Sequence, residues 1–108
     1  MLFRSGNDTL NGGSGIDKMA GGTGNDAYYV DTRFDVILEN QGEGTDTVFA
    51  SCNYTLAVNL ENLILLPGGD WSGAGNSLAN RIVGNDGNNL LSGGIGADTL
   101  EGGLGDNI

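Results

Sequence analysis

The chain has 108 residues, 21 of them glycine, with one proline, one cysteine, no histidine and a formal net charge of −10. So acidic a surface repels nucleic acid and anionic lipid and attracts cations. One cysteine without histidine excludes an internal disulfide and the usual zinc or iron ligand sets, and the length allows one domain with a thin core.

In chain order, Met1-Leu2-Phe3-Arg4 lacks the apolar stretch of a signal peptide, and no apolar run approaches the ~20 residues that span a bilayer. Residues 3–11, FRSGNDTLN, hold Gly6, Asp8 and Leu10 at the fourth, sixth and eighth places of a nine-residue frame. Residues 12–20, GGSGIDKMA, and 21–29, GGTGNDAYY, fit G-G-x-G-x-D-x-U-x in full, U being a large apolar residue. Residues 30–38, VDTRFDVIL, keep Asp35 and Ile37. The period then slips: Gly42-Glu43-Gly44-Thr45-Asp46-Thr47-Val48 fits only after a shift of two residues. Leu63-Ile64-Leu65-Leu66 reads as a buried strand ended by Pro67-Gly68-Gly69. Further on, Asn80 and Asn89 take the aspartate place, followed two residues later by Ile82 and Leu91. Residues 93–101, GGIGADTLE, are a third full copy, and GGLGDNI at 102–108 begins another with Asn107 in the aspartate register. One domain of three zones follows: acidic repeats at 1–38, a degenerate insert at 39–74, and asparagine-rich repeats with one intact motif at 75–108.

Glycines at the density of G-G-x-G-x-D oppose both helix and strand interior and suit a tight loop. The remaining x-U-x makes a strand of about 10 Å, with U on one face and its neighbours on the other. Two units make one flattened coil, so loops two repeats apart stack, Asp8 with Asp26 and Asp17 with Asp35. The predicted fold is all-β: a parallel β-roll or β-helix solenoid of nine-residue repeats with an irregular middle insert. Stacked aspartates and turn carbonyls suit calcium, which takes six to eight hard oxygens, better than magnesium with its stricter octahedron.

The stretches GGTGNDAYYVD, GEGTDTV, NYTL, ENL, GAGNSLANRIVGNDGNN and GGIGADTLEGG resemble the hemolysin-type calcium-binding repeat (repeats-in-toxin, RTX) family over nearly the whole chain. The resemblance implies a parallel β-roll with Ca2+ between stacked loops, in proteins exported from Gram-negative cells by a signal-peptide-independent route. It points to Asp8, Asp17, Asp26 and Asp98 as carboxylate ligands. Turn carbonyls around Gly12, Ser14, Gly15, Gly21, Thr23, Gly24, Gly93, Ile95 and Gly96 would complete the sites. Asp35 is a further candidate, while the displaced register of Asp46 argues against it. The first copy lacks its leading glycines. Asn80, Asn89 and Asn107 offer an oxygen without charge, or hydrogen-bonded ladders that need no metal.

Tyr28, Tyr29, Phe34, Phe49 and Tyr54 are expected to pack, Trp71 to cap the core or else mark a contact surface, and Cys52 to act as a small buried hydrophobe. Without histidine, and with the acids assigned to metal, no catalytic pairing is expected and the chain by itself is no enzyme. The expected function is a calcium-binding structural module of a secreted, extracellular protein. It would fold on Ca2+ outside the cell and support export or stability of a longer parent with adjoining domains. Its partners would be calcium ions, with no nucleic acid and no membrane insertion, and self-association through the end coils. The rival reading is an adhesin-like or ice- or glycan-binding repeat in which calcium only rigidifies the surface. Thr23 and Asn25 begin the outward ladder this needs, but Asn7 and Ala97 do not sustain it.

Overall fold

The computed structural model describes residues 6–39, 44–94, 96 and 98–102; the expected sites at Ile95 and Asn107 lie outside them. Among the described residues there are strands and no helix. Six strands form one parallel sheet: β1 (Thr9–Asn11), β3 (Ala27–Val30), β5 (Thr47–Ala50), β7 (Asn62–Leu65), β9 (Arg81–Val83) and β11 (Thr99–Glu101). The intervening strands cover the opposite face. There β2 (Lys18–Met19) pairs with β4 (Val36–Ile37), and β6 (Tyr54–Thr55), β8 (Ser72–Ala74) and β10 (Leu90–Ser92) form a second group. The chain is therefore a flattened two-faced coil, a β-solenoid whose successive turns pair in parallel.

Each strand is too short to hold more than one or two inward side chains, so the apolar place of every repeat must carry the core. It does: Leu10, Met19, Tyr28, Ile37, Ile82 and Leu91 are all buried, while Lys18, next to Met19, faces solvent. Val48, Leu63 and Leu65 fill the same layer in the middle coils. Leu100 is 45% exposed, its strand paired on β9 alone among the described strands.

Coil lengths follow from the register. Thr9 pairs with Ala27, Ala27 with Thr47, Thr47 with Asn62, Asn62 with Arg81 and Arg81 with Thr99. The first and last of these coils have the regular length of two nonapeptides, whereas the second is longer, the third shorter and the fourth slightly longer again. The register shift at Asp46 is the excess of the second coil. The short third coil turns at Asn59, which takes a left-handed conformation (φ 69°) where other turns use glycine. Between Ala27 and Arg81 the excesses and the deficit cancel, which is why the nine-residue register resumes after the middle zone.

The aromatic residues divide. Tyr28 and Tyr54 are buried, whereas Tyr29 and Phe49 stack on each other on the outward face at 4.9 Å between centroids. Phe34, expected to pack, is instead 55% exposed and lies beneath the Arg33 guanidinium. Its place is the turn, one residue before Asp35, where no inward direction exists. Cys52 and Trp71 are half-buried against the core, and burial, with Asp35 and Asp31 nearby, pushes the Cys52 thiol up to about 11.

The single core layer sets a test. Leu63→Ala should lower the stability of the folded chain by about 2–5 kcal/mol in denaturant unfolding, the usual range for a buried leucine. Ile64→Ala, one residue along on the outward face, should cost less than half of that.

Candidate metal centre

The last residue of each turn clamps two coils together. The Asp8 carbonyl accepts the Ala27 N–H (2.8 Å), while the Asp8 N–H donates to Asp26 Oδ1 (2.9 Å). Asp26 repeats the pattern: its carbonyl accepts from Thr47 (2.9 Å) and its N–H donates to Asp46 Oδ1 (2.8 Å). Asp46 continues it, accepting from Asn62 (3.0 Å) and donating to Glu61 Oε1 (2.8 Å). Asp8, Asp26, Asp46 and Glu61 thus form one acidic column along an edge of the solenoid. On the other edge the Asp17 N–H donates to Asp35 Oδ1 (2.8 Å). Asp98 stands higher on the first edge, its Oδ1 accepting the Asn80 N–H (2.7 Å).

One oxygen each of Asp26, Asp35, Asp46, Glu61 and Asp98 is thereby committed to backbone. The other matters for a ligand. Asp8 Oδ2, Asp17 Oδ2 and Asp46 Oδ2 are buried and have no hydrogen-bond partner. Asp35 differs, because its Oδ2 accepts the Asp31 N–H (3.2 Å). A buried acceptor left unsatisfied is unfavourable by about 1–3 kcal/mol, and by more when charged. A cation removes that penalty.

The leading glycine of each full copy of the motif makes room for the carboxylate of its own aspartate. A methyl group on Gly12 would fall 2.5 Å from Asp17 Oδ2, and one on Gly93 would fall 2.5 Å from Asp98 Oδ2. On Gly21 it would collide with the Asp26 carboxylate and lie 2.7 Å from Tyr28 Oη. These glycines are cradles for the aspartate five residues later, not only flexible turn points. Gly24 adds close coil contact: at φ +104° its missing Cβ faces the Gly6 carbonyl. Ser14, Gly15, Thr23 and Gly96 lie at turn positions. The donor set is hard oxygen throughout, which fits calcium: Asp8 and Asp26 on one edge and Asp17 on the other would hold it, with turn carbonyls completing the shell.

The charges are felt by their neighbours. Burial raises the Glu61 carboxyl above its usual range, and the adjacent Asp46 charge adds to the rise against its stabilising amide. Burial also drives the Tyr28 hydroxyl upward.

In the later coils asparagine works differently. Asn76 Nδ2 donates to the carbonyls of Ala57 (2.7 Å) and Leu60 (2.8 Å) in the preceding coil. Nine residues on, Asn85 Nδ2 does the same to Leu66 (2.7 Å) and Gly69 (2.9 Å). Asn80 and Asn89 turn their amides toward Leu60 and Trp71, and their oxygens cap the N–H groups of Asn76 and Asn85. These amides reach the kind of turn carbonyls that a cation would otherwise gather.

Asp46, with its displaced register, and Glu61 both belong to the column. The signal for Asp46 was the shifted GEGTDTV match read as a longer coil. Glu61 carried none, since a glutamate short of a full coil falls outside the nonapeptide; its extra methylene suits the shorter coil.

A family model for the RTX calcium-binding nonapeptide repeat (4 copies) matches residues 4–37 and 74–108. The endo-1,3-1,4-beta-glycanase ExsH of Rhizobium meliloti (strain 1021) is 38% identical over 84 residues, covering 77% of this chain and 18% of that protein. The chain thus spans less than a fifth of the curated relative it matches. No solved structure matches it.

Gly21→Ala tests the cradle. Displacing the Asp26 carboxylate and the Tyr28 hydroxyl should lower stability by about 1–3 kcal/mol, as overpacking of a tight site does, and weaken calcium binding in calorimetry. Gly13→Ala, where nothing lies near the added methyl, should keep the number of calcium ions bound, even though its left-handed backbone (φ +78°) disfavours alanine.

Proposed function

The chain belongs to the RTX calcium-binding nonapeptide repeat family, and from that we propose that it is a module whose coils fold when calcium binds, carried within a longer secreted protein. The observation that carries this is the set of buried carboxylate oxygens without partners: Asp8 Oδ2 and Asp46 Oδ2 on one edge, and Asp17 Oδ2, cradled by Gly12, on the other. Without a cation these oxygens stay buried and unsatisfied, and the carboxylates stacked along the column repel one another. Calcium binds the stacked form and not the open chain, so it shifts the equilibrium by mass action.

At low cytosolic calcium the repulsion favours an open chain suited to export through the signal-peptide-independent route of Gram-negative bacteria. At millimolar calcium outside the cell the coils form. The module then stabilises its host, and catalysis, where the host has any, resides in other domains. The partial similarity to a glycanase is in keeping with a repeat module borne by a larger enzyme.

Calcium titration followed by circular dichroism checks this. A cooperative gain of β signal with calcium and none with magnesium is expected, with a stabilisation of about 2.7 kcal/mol at a hundred times the dissociation constant. A spectrum indifferent to both calcium and chelator sinks the proposal.

A further inference from the structure

Glu39 belongs to no nonapeptide and to no rung of the acidic column, yet it is only 8% exposed. One carboxylate oxygen each from Glu39, Asp26 and Asp46 lie within 4.8 Å of one another. Asp26 is 2% exposed and Asp46 fully buried. Two features hold the glutamate there. The preceding strand β4 ends at Ile37, so the side chain enters the longer coil at its root. From the next coil Asn59 Nδ2 donates to the Glu39 carbonyl at 2.9 Å, with Asn59 in its left-handed turn.

A second observation points to a ligand. Asp46 Oδ1 is committed to the Asp26 N–H, and Asp46 Oδ2 is buried with no hydrogen-bond partner. Tyr28 borders the same place: its hydroxyl oxygen accepts the Gly21 N–H at 2.7 Å.

We infer that Asp26, Glu39 and Asp46 form a closed calcium site of three carboxylates, different in composition from the turn sites, with Glu39 as the ligand that closes it. The inference rests on the calcium-binding reading above. The donors are oxygen only, which disfavours zinc, and the enclosure leaves little room for the waters magnesium retains. Three charges on one ion, in a site fixed from both coils, should make it the tightest site in the chain. It stands where the regular acidic coils meet the longer coil, so an ion there ties the two registers together.

The test compares the whole chain with Glu39→Gln and, on the opposite edge, Asp17→Asn. Ions are counted by native mass spectrometry, and tyrosine-sensitised terbium emission reports an ion beside Tyr28. Glu39→Gln should bind one calcium fewer and lose at least fivefold of the terbium emission; Asp17→Asn should keep that emission. In calcium Glu39→Gln should melt lower than the parent, whereas in chelator the two chains should give the same circular-dichroism spectrum. An unchanged ion count and emission in Glu39→Gln overturns the site. Should that variant fail to fold even in calcium, Tyr28→Phe decides: loss of most emission with the ion count kept supports the site, and unchanged emission overturns it. A parent chain that takes up no calcium ends the family-based proposal as well, whereas calcium-driven folding that ignores Glu39 ends this inference alone.

Discussion

Everything in this solenoid depends on the pair of hydrogen bonds made at the end of each turn, where one residue gives its carbonyl to the next coil's strand and its N–H to the next coil's side chain. Strands of two to four residues supply few ladder hydrogen bonds of their own. The register between coils is therefore held at the edges. Asp8, Asp26 and Asp46 each take part in both bonds, and their carbonyl partners Ala27, Thr47 and Asn62 are the first residues of β3, β5 and β7. Turn chemistry and sheet register are one constraint here.

That constraint leaves a surplus of acceptors, and the chain meets it in two ways. An aspartate carboxylate only accepts, so on the proposed reading a cation stands between the second oxygens of Asp8, Asp17 and Asp46 and the turn carbonyls. An asparagine carries donors. Asn76 and Asn85 each join two carbonyls of the coil below with one amide group, doing with neutral hydrogen bonds what an ion does with charge. The change from Asp to Asn along the sequence is thus a change of mediator rather than a decay of the motif.

Much of this was legible in the nine-residue period. The apolar place named the inward side chains from Leu10 to Leu91, and the pairs Asp8–Asp26 and Asp17–Asp35 followed from counting two repeats to a coil. What was hidden depends on coil length. Asp46, Glu61 and Glu39 lie where one long coil and one short coil replace the regular pair of nonapeptides, and a fixed period cannot follow a loop that lengthens and then shortens. Phe34 shows the other limit: periodicity marks which residues of a strand face inward, but says nothing of a side chain on the turn itself. The cradle role of Gly12 and Gly21 was equally out of reach, since it concerns the space filled by a carboxylate five residues away.

Because each coil touches only its neighbours, stability in such an array is a sum of local terms and adjacent contacts. On the proposed reading the two mediators then give the chain a direction. Coils joined by Asn76, Asn80, Asn85 and Asn89 have their turn carbonyls bonded without an ion, so they hold the lower-cost end of the array. The acidic coils can add to that edge only as a cation joins Asp46 to Asp26 and Asp26 to Asp8. The short coil between them, turned at Asn59 and tied back to Glu39, is where the amide-held part meets the ion-held part. Its deficit offsets the excess of the coils on either side, and this keeps the inward column unbroken from Val48 to Leu63 to Ile82 across the junction.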